Sequence, residues 1–465
     1  MTSNTVAAKA VSVSQETASR SQNTRLSLGA LLGYGASMIG LNGMATMMSV
    51  HLLIFYTDVV MIAPWLVGVV MTLANVWDAF TDPCMGYLSD HTKSKWGRRR
   101  PYILLGAVPT ALLFFVLFSP PASFSGRGLS LFFVIVFLLF FTCRTVWETP
   151  YFALAPELTL DYDERTRLSA FQQVFATVGD ILGTMAPVAL VGLFATERAG
   201  YSFVGLLVAV LAVSAAVWTY VGTRENPALT KRSKLSFGKS LAATFRNRPF
   251  MLLVLTSSCT AISNYTTISV VRYLVKYWFQ RPELEMYFFI AFFVGVFASI
   301  PLWIRVINRI GKKAAYIFTM SVYAALLWLI LLVRPGDYVI YGALMVIGGA
   351  FNIGLWLIPG SIVPDIIEWD QLKMGERREG AYYGIWTLIR KGAIAGAFLL
   401  VGPLMQLFGY VPNVEQSDTA LLGIRLLYGP IPSILLVLGI LIFHRFPITK
   451  QVHQDILRQL EQQQR

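Results

Sequence analysis

The sequence predicts an all-α integral membrane protein of about twelve transmembrane helices in two six-helix halves, with both termini cytoplasmic. Three observations carry that expectation. The 465 residues are 55% hydrophobic and 14% charged, with a mean hydropathy of +0.60, whereas soluble chains carry about 25% charged residues. Apolar stretches of about 20 residues, long enough to span a bilayer, recur along the whole chain. The basic residues, which give a net charge of +13, are confined to alternate loops.

In order, the spans fall near 28–56, 62–88, 101–119, 129–154, 168–195 and 201–222, then 250–275, 284–304, 314–333, 338–363, 382–408 and 421–444. The loops joining spans 2–3, 4–5, 6–7, 8–9 and 10–11 hold roughly 21 Lys and Arg, against about 4 in the others. That bias puts the first set in the cytoplasm and excludes a nucleic-acid reading of the charge. Residues 1–25 are Ser/Thr/Ala-rich and lack a secretory apolar segment, so they read as a cytoplasmic tail. Residues 26–222 form the first bundle, 223–248 a central cytoplasmic loop, 249–445 the second bundle and 446–465 a cytoplasmic tail. Cys84, Cys143 and Cys259 fall within spans and read as small apolar packers. His51, His91, His444 and His453 are too scattered to suggest a metal site.

The halves share loop signals. A basic turn, Gly97-Arg-Arg-Arg100, follows span 2, and Gly311-Lys-Lys313 follows span 8. Acidic-basic loops follow spans 4 and 10. A duplicated six-helix unit of this kind is typical of major facilitator transporters. Asp90 with Arg98, Arg99 and Arg100 reads as a cytoplasmic gate, pairing when the cavity faces outward and separating when it opens inward. Phosphate-loop, H-E-x-x-H and G-x-S-x-G motifs are absent, so neither an enzyme nor ATP-driven transport is expected.

Charges inside the spans carry the chemistry. A carboxylate near the bilayer centre costs about 2.5–3.5 kcal/mol. Asp78 and Asp82 lie one turn apart on one face of span 2. As like charges they require a cation or a proton, with Thr81 beside them, Asn75 a turn earlier and Thr145 on span 4 as further oxygen donors. Arg144 and Glu148 form an i, i+4 pair on span 4. Asp180 sits on span 5 between Gly179 and Gly183 and reads as packing or as facing the cavity. Arg390 and Lys391 lie about 100° apart on span 11, so only one can face a given point. Arg272 and Lys276 are expected to snorkel to the interface.

The run Trp77-Asp-Ala-Phe-Thr-Asp-Pro83, followed by Gly86 and Ser94-Lys-Trp-Gly-Arg98, resembles the glycoside–pentoside–hexuronide:cation symporter family. Phe55-Tyr-Thr-Asp-Val-Val60, Glu148-Thr-Pro-Tyr-Phe152 and Gly409-Tyr-Val-Pro-Asn-Val-Glu-Gln-Ser417 extend the match from the first span to the last. The resemblance implies a symporter coupled to Na+, Li+ or H+. It assigns Asp78, Asp82 and Thr145 to the cation site, with Thr81 where the family's melibiose permease has an asparagine. It assigns Glu148, Lys391 and Thr387 to substrate binding. Asn42, Phe152, Gln173 and Trp386 occupy other sugar-contacting positions but depart from that carrier's residue types, so melibiose itself is not expected.

The expectation is therefore a cation-coupled, alternating-access symporter of a glycoside or oligosaccharide. It would work as a monomer among membrane lipids in the cytoplasmic membrane, with no cofactor beyond Na+ or H+ and no nucleic-acid partner. Rival readings are symport of an acidic sugar or lysolipid, a proton-coupled exporter and, remotely, a multi-span membrane enzyme.

Overall fold

The computed structural model describes residues 26–92, 94–159, 162–225, 244–374 and 379–464. The N-terminal tail and most of the central loop expected at 223–248 lie outside them. All regular structure in the described residues is helical. The first half contains α1 (Leu28–Met47), α2 (Pro64–His91), α3 (Arg100–Leu117), α4 (Gly126–Leu158), α5 (Tyr162–Leu190) and α6 (Glu197–Gly222). The second contains α7 (Arg248–Tyr273), α8 (Glu285–Ile310), α9 (Lys312–Trp328), α10 (Tyr338–Met374), α11 (Glu379–Leu407) and the pair α12 (Asp418–Tyr428) and α13 (Pro430–Phe443). A further helix, α14 (Lys450–Gln464), occupies the region expected to be a tail.

Local chemistry sets the helix starts. Ser27, Thr196, Asn247 and Ser417 each accept a hydrogen bond from a first-turn amide, and Pro64, Pro101, Pro249 and Pro430 stand in first turns. Among the described residues, nine helices are long and apolar enough to cross a membrane. Helices α1, α2 and α7 fall outside that set because Gly, Thr, Ser, Asn and Asp replace aliphatic residues along them. Large apolar side chains such as Leu105, Leu112, Leu131 and Leu441 project from the outer surface, which suits hydrocarbon. The molecule is a multi-pass membrane protein.

In the first half, α1 packs on α5 and α6, and α3 on α4 and α6; in the second, α8 packs on α10, and α7 on α11 and α13. The halves meet mainly through α2 against α11, with α7 also touching the end of α1. Starts of α1 and α7 share one end of the bundle with α14, called here the terminal end. At the opposite, far end, α1 passes into π turns at Met48–Leu52 and Phe55–Val59, and α7 into one at Leu274–Trp278. The first helix of each half thus ends in the same irregular turn, a feature that concentrates at functional sites. One apolar core runs from the first half across the far end into α7, α8, α10 and α12, while a second fills the second half toward the terminal end.

Candidate functional site

Between the halves lies a cavity of about 670 Å³. Asn42, Asp78, Glu148, Phe152, Gln173 and Lys391 line it, as do Arg144, Asp180 and Arg390. Both basic residues of α11 reach it, although they lie about 100° apart, because the cavity wraps around that helix face.

The charges form a network. Lys391 donates from its ammonium to Asp78 Oδ2 and Asp82 Oδ2, both at 2.5 Å, joining the second half to the first. Thr145 donates to Asp78 Oδ1 at 2.5 Å, and Thr81 Oγ1 lies 3.2 Å from the Thr145 hydroxyl. Thr149, unmarked in the sequence reading although it adjoins Glu148, donates to Asp82 Oδ1 at 3.1 Å. Two carboxylates therefore converge on one ammonium, ringed by hydroxyls. Asn75 lines the cavity but donates to the Met71 carbonyl of its own helix. Arg144 Nε lies 3.0 Å from Glu148 Oε2. Asp180 accepts from Thr46 at 2.7 Å and Asn42 at 3.2 Å, joining α5 to α1.

Trp386 and Thr387 fall outside the cavity lining. Trp386 packs partly against the second core and borders a small side pocket with Trp356 and Arg390. Thr387 lies one turn from Lys391 toward the terminal end, about 6 Å along the axis, and is exposed.

At the far end the halves are bolted together. Asp58, buried, accepts from Lys276 at 2.6 Å and from the hydroxyls of Tyr277 and Tyr410, while Asn413 donates to its backbone carbonyl. Thr57 meets the Tyr273 hydroxyl at 2.8 Å. Arg272 pairs with Glu285 at 2.7 Å and contacts Tyr201 and His51 across the interface. The expectation that Arg272 and Lys276 snorkel is thus corrected: both turn inward, because carboxylates within the protein offer stronger partners than headgroup water. Two motifs quoted above, 55–60 and 409–417, meet in the Asp58 cluster.

At the terminal end, Arg99 pairs with Asp90 at 2.8 Å and with Glu157 at 2.7 Å; Arg98 contacts the same two carboxylates. Arg100 reaches the Tyr220 carbonyl. In this structure these gate candidates brace α2, α4 and α6 within one half instead of crossing to the other. Glu225 accepts from the backbone amides of Arg98, Arg99 and Arg100, capping α3. In the second half, His453 of α14 lies 2.8 Å from Glu368 and 3.5 Å from Asp365, whose two oxygens also accept from Lys312. The scattered reading of the histidines missed this grouping, since it depends on α14 folding back onto α10.

Fold and cavity together define a secondary transporter of the major facilitator type. Residues 33–450 match the family described as MFS/sugar transport protein, and the chain belongs to that family. It is 28% identical to an uncharacterized symporter of Synechocystis over 93% of this chain and 96% of the relative. It is 29% identical to a putative sulfoquinovose importer of Escherichia coli, covering 90% of each. It is 26% identical to a sodium-dependent lysophosphatidylcholine symporter of Danio rerio over 90% of this chain and 85% of the relative. Among solved structures, a D-xylose-proton symporter superposes with a TM-score of 0.66 at 12% identity, covering 90% of this chain and 97% of the other. At that identity the likeness is one of fold.

Proposed function

We propose that this chain is a Na+- or H+-coupled symporter of a sugar-type solute, working by alternating access in the cytoplasmic membrane. The observation that carries the reading is the convergence of Asp78 and Asp82 on the Lys391 ammonium, of which Asp78 and Lys391 line the cavity and Asp82 lies behind them. Two carboxylates and one ammonium leave one negative charge over, and a single monovalent cation or proton balances it. The carboxylate and hydroxyl oxygens of Asp78, Asp82, Thr81 and Thr145 are the hard donors such a cation prefers.

With a cation on the aspartates, Lys391 is released from part of its pairing and serves the neighbouring solute together with Glu148. Asn42, Phe152 and Gln173 supply hydrogen bonds and an aromatic face to it. By linkage, cation and solute each raise the other's affinity. If the terminal end is cytoplasmic, as the loop charges indicate, the bolted far end makes this an inward-facing conformer. Turning outward then requires the Asp58 and Arg272 clusters to break, and Asp90 and Arg98–Arg100 to exchange partners across the halves. One chain encloses the whole site, so a monomer suffices, and no cofactor beyond the coupling ion is required.

The test is uptake of 4-nitrophenyl glycosides into proteoliposomes under an imposed inward Na+ or H+ gradient. Accumulation above equilibrium under one gradient is expected. Accumulation only when the proton gradient opposes the solute flux would favour an exporter, as named for a 28% identical relative from Escherichia coli.

A further inference from the structure

We infer that Asp180 is a proton-binding site, separate from the aspartate pair, which turns a carboxylate on the cavity wall into a neutral hydrogen-bond donor. The inference rests on the transport reading above for the role of the cavity, and adds to that cavity a group that responds to pH. Asp180 lines the cavity from α5. Both of its hydrogen bonds, from the Thr46 hydroxyl at 2.7 Å and the Asn42 amide at 3.2 Å, fall on Oδ1. Among the described residues Oδ2 has no partner, and no cation pairs with either oxygen. A carboxylate at membrane depth without a counter-charge is costly when ionised, and a proton on Oδ2 removes that cost.

The surrounding groups favour the proton. The cavity's cations are engaged elsewhere: Arg144 pairs with Glu148, Lys391 with the two aspartates, and Arg390 acts on Glu148. Helix α5 packs on α1 and, more lightly, on α4, α6 and α8. Beyond Asn42 and Thr46, the end of α1 brings His51, whose Nε2 lies 2.8 Å from the Thr184 carbonyl one turn past Asp180. Helix α4 offers the Arg144–Glu148 pair, α8 gives the cavity only apolar side chains, and α6 gives it none. Across the cavity stand Tyr265 of α7 and Arg390 of α11. A metal ion would need several lone pairs turned toward it. Thr46 and Asn42 instead turn hydrogens toward Asp180, so a proton is the cation that suits it.

This proton differs in role from the coupling ion. Asp78 and Asp82 meet Lys391 across the halves, so rocking the halves changes their surroundings. Asp180 is tied to α1 within the first half and keeps those partners as the halves rock. A ligand held equally in both states shifts neither, so the Asp180 proton tunes the cavity and the aspartate pair drives transport. Protonated, Asp180 can donate to a solute oxygen; ionised, it can only accept.

The test is infrared difference spectroscopy of purified protein in saturating Na+, between mildly acidic and alkaline buffers, a range in which exposed carboxylates stay ionised. A protonated-carboxyl stretching band that shifts in D2O is expected in the wild type. Asp180→Asn should lose it, Asp82→Asn should keep it, and Asp180→Glu should show it at a changed frequency. Unchanged thermal unfolding profiles show that the variants fold. Identical spectra of wild type and Asp180→Asn, or an unmoved band in Asp180→Glu, overturn the inference. The spectra need neither solute nor gradient. Failure of gradient-driven uptake would therefore remove the transport reading and leave the proton site standing.

Discussion

Asp58 is gripped by side chains that lie 218 to 355 positions away along the chain. It belongs to the quoted run 55–60, yet nothing local marks it as a bridge between the halves: in the sequence it is one carboxylate at the end of an apolar span. Asp78 and Asp82 are legible because the anomaly is local, two like charges a turn apart in an apolar run. The ammonium that answers them comes from Lys391, which the sequence alone offers as one of two basic neighbours. Asp58→Asn leaves Lys276 partly buried without its carboxylate, a loss of about 3–5 kcal/mol from the closed far end if the pair behaves as a buried one. The conformational balance should shift toward opening there. Maleimide labelling of a Ser49→Cys reporter, whose site lines the cavity near that end, should speed up in the Asp58→Asn background; an unchanged rate would deny Asp58 a closing role.

At the scale of elements, the crossing of α2 and α11 holds the halves together. A Cβ on Gly68 would stand 2.7 Å from the Phe398 carbonyl oxygen, and one on Gly402 would stand 2.5 Å from that of Pro64. The two backbones therefore meet with no room for a side chain. Gly402→Val should cost about 1–3 kcal/mol of the conformer described here. The expected readout is faster labelling of the same Ser49→Cys reporter, with thermal stability lowered less than for a core cavity. Glu225 shows what an element needs from outside itself. It lies at the start of the central loop, which reads from sequence as generic charge, yet its carboxylate accepts from the amides of Arg98, Arg99 and Arg100, which lead into α3. Glu225→Ala should lower stability by about 1 kcal/mol, seen as a lower midpoint of thermal unfolding. The spans themselves were plain in the sequence, because apolar length is set by the bilayer. The π turns and the α14 dock were hidden, since they arise from packing between distant segments.

For the whole molecule, fold class and family follow from hydropathy, repeated loops and motifs distributed from the first span to the last. The conformer does not, because inward and outward states share one sequence and differ in which end is bolted. Gating residues are accordingly the least legible part of the site: Asp90 and Arg98–Arg100 find partners within their own half here, while Arg272 and Lys276 read from the sequence as snorkelling cations and not as far-end partners of Glu285 and Asp58. The central claim is that Asp78 and Asp82 couple a cation to solute movement. It is tested most directly by comparing wild-type and Asp82→Asn proteoliposomes for gradient-driven accumulation and for solute exchange without a gradient. The account predicts that the variant loses accumulation under both Na+ and H+ gradients and still exchanges solute. Accumulation at the wild-type level in Asp82→Asn would contradict it.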